Sequence, residues 1–188
     1  VGDGNHSLAT AKACYENLKK TMSEEEAKNS LARYALVEVV NLHSDALEFE
    51  PIHRVVFGVE PAKMIEEFEK YYDVSRTPGE GQKVEYVYEG KNETLYIKNP
   101  KSNLAVGSLQ MFIDAYIKEH GGKVDYIHGD DVTKELGSKP GNIGFLLPPM
   151  AKTDLFKTVI LDGALPRKTF SMGHSYDKRY YLEARKIK

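Results

Sequence analysis

One cysteine, Cys14, stands in 188 residues, so no intrachain disulfide can form and a zinc site made of cysteines alone is excluded. Long apolar runs are missing too: nothing approaches the roughly 20 residues needed to span a bilayer, and no secretory leader is visible. Basic excess is also lacking. The 26 Lys and Arg face 28 Asp and Glu, a formal net charge of -2, which argues against nucleic acid as a main partner. There is no Walker A loop, no G-x-G-x-x-G turn and no G-x-S-x-G elbow. Six histidines, His6, His43, His53, His120, His128 and His174, include no pair at helical i, i+4 spacing, so no metal site is expected. Internal repeats and low-complexity stretches are absent. What remains is a soluble chain of a reducing, cytoplasmic setting, expected to form one α/β domain over residues 1–188. It opens without methionine on what reads as a strand end, and is therefore read as the C-terminal part of a longer protein lacking an N-terminal portion of the fold.

The first thirteen residues, Val1-Gly-Asp-Gly-Asn-His-Ser-Leu-Ala-Thr-Ala-Lys-Ala13, carry the most information. A turn at Asp3-Gly4-Asn5-His6 runs into a helical pattern from Ser7. Free N–H groups at such a helix start suit an anion, and a glycine lets a ligand approach the backbone. The alternative is that Ser7 merely caps the helix and Asp3-Gly4 is an ordinary turn.

Leu8, Ala11, Tyr15 and Leu18 recur at helical steps over Ser7 to Lys20, and Cys14 is expected to pack in that stripe. Ser23 and Glu26 form a capping-box pattern that starts a helix running through Tyr34. Ala35 to Leu42 reads as a β-branched, apolar strand. Pro51 is expected to delay the next strand to Ile52–Phe57. A helix follows from Pro61 to about Asp73, and a hairpin over Lys83–Glu89 and Thr94–Lys98, turning at Gly90-Lys91-Asn92. Helices at Val106–His120, Asp131–Leu136 and Lys152–Leu161 alternate with strands at Val124–His128 and Asn142–Leu147. Lys168–Met172 and Tyr180–Ile187 read as a closing antiparallel pair. The fold class is α/β or α+β: a mixed sheet flanked by helices, with antiparallel hairpins.

Two further places concentrate chemistry. At His53-Arg54, neighbouring strand residues face opposite sides, so Arg54 forks onto a phosphate while His53 packs, or His53 titrates while Arg54 pairs with Glu48 or Glu50. Arg167-Lys168 and Lys178-Arg179 flank a turn with Ser171, Gly173, His174 and Ser175, which either holds anionic oxygens or keeps a hairpin soluble. Asp130-Asp131 either binds a hard cation or caps a helix through Asp130.

Asp3 to Ala11, Ala35 to His43, Pro51-Ile-His-Arg54 and Leu165 to Gly173 together resemble the bacterial domain of unknown function 1015 family, over nearly the whole chain. That family brings no settled activity with it. The Asp-Gly-x-His turn is also similar to that of the ParB and sulfiredoxin superfamily, which includes a free-serine kinase. There the turn binds nucleotide phosphates; Gly4 and His6 match, while Ser7 replaces an arginine.

The expected function is a nucleotide-dependent phosphotransferase on a small metabolite. Asp3, His6 and Arg54 would be catalytic, and Gly4, Asn5, Ser7, His53, Arg167 and Lys168 would hold substrate, with a nucleoside phosphate and Mg²⁺ as cofactors. The alternative is a non-catalytic module that binds a nucleotide or small anion. A ParB-like nucleic-acid partner is a third option, disfavoured by the acidic balance.

Overall fold

The computed structural model describes residues 5–37 and 39–172, the side chains of Asn5 and His6 excepted. Two compact units divide the chain: Val1–Leu47 with Met172–Lys188, and Glu48–Ser171.

The first unit is helical. Helix α1 spans Asn5–Lys19 and α2 spans Glu24–Asn29, followed by a 3₁₀ turn at Leu31–Arg33. The α2 start is the expected capping box: the Ser23 hydroxyl accepts from the Glu26 N–H, and the Glu26 carboxylate accepts from the Ser23 N–H. Because α1 already begins at Asn5, Ser7 is an exposed residue of its first turn and not its cap. Cys14 is exposed, since α1 turns Ala11, Tyr15 and Leu18 inward and leaves the rest of its surface bare. The strand expected over Ala35–Leu42 is absent among the described residues, where Leu36 and Val39 are 85% and 82% exposed. β-propensity reflects fit to a sheet, and no ladder receives this segment.

The second unit is one sheet covered by helices on both faces. Its strands are β1 (Phe49–Phe57), β2 (Val74–Ser75), β3 (Gln82–Tyr88), β4 (Lys91–Ile97), β5 (Lys123–His128), β6 (Asn142–Leu146) and β7 (Phe170–Met172). They are ordered β2-β4-β3-β6-β1-β5, with β7 also on β1. The five pairings with a defined register are antiparallel, so the class is α+β. Helices α3 (Pro61–Tyr71), α4 (Ala105–His120), α5 (Asp130–Gly137) and α6 (Asp154–Asp162) complete the unit.

Pro51 lies inside β1, not before it. Pairing with β5 begins at Ile52 and with β6 at Arg54, so neither of these ladders requires the N–H that Pro51 lacks. The β3–β4 hairpin turns on Glu89-Gly90, both at positive φ (49° and 75°), which tightens the expected three-residue turn to two.

The apolar stripes of α3 and α4 build the core. Met64, Phe68, Leu109, Phe112 and Ile113 meet Val56, Tyr86 and Phe145 of the sheet, and Phe68 and Phe112 pack edge to face with centroids 4.9 Å apart. On the other face α5 lies against β6 so closely that a Cβ on Gly144 would sit 2.7 Å from the Thr133 carbonyl oxygen. Glycine at 137 and 144 is what permits this approach, and it brings the start of α5 over β1. Among the described residues no helix is long and apolar enough to cross a membrane.

Candidate ligand-binding cleft

β1 is the central strand of its half of the sheet, and alternation sends Arg54 and His53 to opposite faces, each fully buried. On the α4 side, Arg54 Nε donates to Gln110 Oε1 at 3.2 Å. Its Nη1 donates to the carbonyls of Ile52 and Lys168, and its Nη2 to the carbonyl of Arg167 at 2.9 Å. The guanidinium carbon lies 5.0 Å from the centre of the Tyr126 ring on β5. Arg54 thus ties strand, helix and the 166–169 loop together. The expected ion pair with Glu48 or Glu50 is not what holds the guanidinium; carbonyls and an amide do, because the side chain points inward from mid-strand.

Burial lowers the Arg54 pKa to about 10, opposed by Tyr126 and by the Asp114 carboxylate, so it remains charged at neutral pH. Since an arginine only donates, Gln110 must turn its oxygen to Arg54 and its amide N–H to Asp114, which accepts at 2.8 Å. Lys168 sits in the left-handed region at φ 54°, a conformation unfavourable by about 1 kcal/mol for a residue with a Cβ, and Arg54 holds the carbonyls on both sides of that bend.

Above this arrangement lies a cleft of about 380 Å³. Gly107, Gln110, Met111 and Asp114 of α4 form one wall, Tyr126 of β5 another, and Pro166 and Arg167 the third. The α4 residues recur at i, i+3, i+4 and i+7, one helical face beside the apolar stripe. The Arg167 guanidinium is exposed and has no partner among the described residues. Of Asp114, one oxygen is engaged by Gln110.

His53 faces the other way. The Leu147 N–H donates to Nδ1 at 3.1 Å, so that nitrogen carries no proton; Nε2 holds it and donates to Asp130 Oδ1 at 2.8 Å. Burial lowers the imidazole pKa although Asp130 opposes it, and the neutral ring offers a ligand no free nitrogen. Asp130 is the first residue of α5, with Gly129 at the cap position, so its role is to accept from His53 and not to cap. Among the described residues no cluster of three or more His, Cys, Asp or Glu side chains is arranged to hold a metal.

The structure therefore brings Arg54, Arg167 and Lys168 together, joined through the main chain of the two latter residues. Ser7 and the backbone of Asn5 and His6 belong to the first unit, while Asp3, Gly4, Gly173, His174, Ser175, Lys178, Arg179 and the Tyr180–Ile187 segment lie outside the described residues. Sequence reasoning missed Gln110, Asp114 and Tyr126. The Gln110–Asp114 spacing of four was the available signal, but that spacing also fits an ordinary surface pair.

A family profile, a protein of unknown function (DUF1015), matches residues 1–116. The chain belongs to this family. The match includes Arg54, Gln110 and Asp114 and stops before Tyr126 and Arg167, so it is shorter than the near-complete span expected from the motifs. No curated protein matches the chain, and no solved structure does.

Proposed function

We propose that this chain is a small-anion-binding module whose ligand occupies the cleft above Arg54. The observation that carries the reading is the unpartnered Arg167 guanidinium on the rim, with its own carbonyl fixed by the buried charge of Arg54. An exposed arginine on a restrained backbone presents a fork for a carboxylate or phosphate. The cleft volume falls within the usual range for small-molecule sites. The single cysteine fits a cytoplasmic home. Calorimetric titration with inorganic phosphate and with propionate tests the reading: at least one binds, and Arg167→Ala weakens it about tenfold or more. Absence of binding by both and by larger carboxylates such as 3-phenylpropionate, or indifference to the substitution, removes the proposal.

A second reading places nucleotide phosphate at Gly4 to Ser7, with Asp3 and His6 assisting transfer to a small metabolite and Mg²⁺ accompanying the nucleotide. One observation favours it: α1 starts at Asn5 with no acidic residue in its first turn, which suits an anion. ATP titration with and without Mg²⁺, repeated on His6→Ala, separates it from the first, since cleft binding is indifferent to His6.

A further inference from the structure

Anion recognition by Arg167 accounts for one side of the cleft, while the wall facing it from α4 has the opposite sign. Asp114 is an exposed carboxylate whose orientation is set from behind: Arg54 fixes the Gln110 oxygen, and the Gln110 N–H then holds Asp114 Oδ1 at 2.8 Å. Its Oδ2 has no partner among the described residues, and it faces a cleft that also contains the Tyr126 ring and the Met111 side chain. A carboxylate pinned by one oxygen and open at the other is an acceptor waiting for a donor, and a cationic donor gains most from it. Were the site built for a simple anion, a carboxylate lining the same cleft would repel the ligand. A molecule carrying both signs satisfies both walls.

We propose that the cleft binds a small zwitterion, its carboxylate on Arg167, its ammonium on Asp114 and its side chain against Met111 and Tyr126. This deepens the anion-binding reading and rests on it. No bond is made or broken; the gain is a charge-assisted hydrogen bond added to the first.

Two isosteric series of probes test the idea in calorimetric titrations of the whole chain. The small series is propionate, L-lactate and L-alanine, which differ only in H, OH or NH₃⁺ on the α carbon. The large series is 3-phenylpropionate, L-phenyllactate and L-phenylalanine, which fills the apolar wall. In at least one series the amino acid binds about tenfold or more tighter than its des-amino partner, with the hydroxy acid between them. Asp114→Asn leaves an oxygen for Gln110 but removes the charge, and it erases that gain: the amino acid binds more weakly, while the des-amino acid, freed of the repulsion, binds at least as tightly as before. Equal affinities within both series, or a gain that survives in Asp114→Asn, overturn the zwitterion while the anion reading stands, provided propionate or phosphate binds through Arg167. Absence of binding by all six acids and by phosphate overturns both.

Discussion

Arg54 and Gln110 share a hydrogen bond from Nε to Oε1 at 3.2 Å, and through it a guanidinium buried in the sheet dictates the orientation of a carboxylate at the cleft, Asp114. The same guanidinium holds the carbonyls of Arg167 and Lys168. Replacing Arg54 by Met keeps much of the volume but strands one amide oxygen and three carbonyls. A loss of about 3 kcal/mol or more is expected, read by urea unfolding. Amide hydrogen exchange speeds up at 167–169 before it does at α3, because the loop loses its anchor and the core does not.

Stability falls as pH falls below about 6.5, and His53 is a cause. Its folded pKa is lowered by burial, so the unfolded chain binds the proton more readily; the contribution is complete above the unfolded value and is lost as pH drops through the folded one. Unfolding free energies compared between about pH 5 and pH 8 show the slope, and His53→Gln, which cannot titrate, makes it shallower. An unchanged slope in that variant assigns the acid sensitivity to other groups.

Gly144→Ala places a Cβ 2.7 Å from the Thr133 carbonyl and pushes α5 off the sheet. The expected cost is about 1–3 kcal/mol. Asp130 rides on α5, so His53 loses its acceptor in part, and its imidazole resonances shift in NMR spectra even though residue 144 does not touch the ring.

Among the described residues two non-glycine residues sit at positive φ, Glu89 and Lys168, and both are open to improvement. Glu89→Gly supplies the pair of left-handed residues that a two-residue hairpin turn prefers and is expected to raise stability by about 0.5–1 kcal/mol. Lys168→Gly relieves the same strain, while retaining the carbonyl that Arg54 binds. A fall in melting temperature in either variant shows that the side chain contributes more than its backbone costs.

Much of the second unit could be read directly from its residues. Helices α3 and α4 announce themselves by Met64, Ile65, Phe68 and Leu109, Phe112, Ile113, because a buried helical face must repeat every three or four residues. The β3–β4 pair shows as alternation for the equivalent reason. Ala35–Leu42 misled, since a run rich in valine and leucine declares only that it would suit a sheet, not that one is there to receive it. At the cleft, Arg54, Arg167 and Lys168 were conspicuous as charges. Their union was not, because it runs through the carbonyl oxygens of 167 and 168, and main-chain acceptors are the same at every position of every sequence.

Composition and periodicity alone determined that the chain forms helices and strands around an apolar core, cannot close a disulfide within these 188 residues and lacks a bilayer-length apolar run, since these follow from counts and local repeats. Which polar groups meet was decided by tertiary structure. Register sets Arg54 beneath α4 and Tyr126, and two glycines let α5 bring Asp130 to His53, so groups 77 and 113 positions apart share a bond, the first between side chains and the second from a side chain to a main-chain carbonyl. Contacts between residues so distant in the chain leave no periodic trace, because they depend on how whole elements dock and not on the pattern within any one of them.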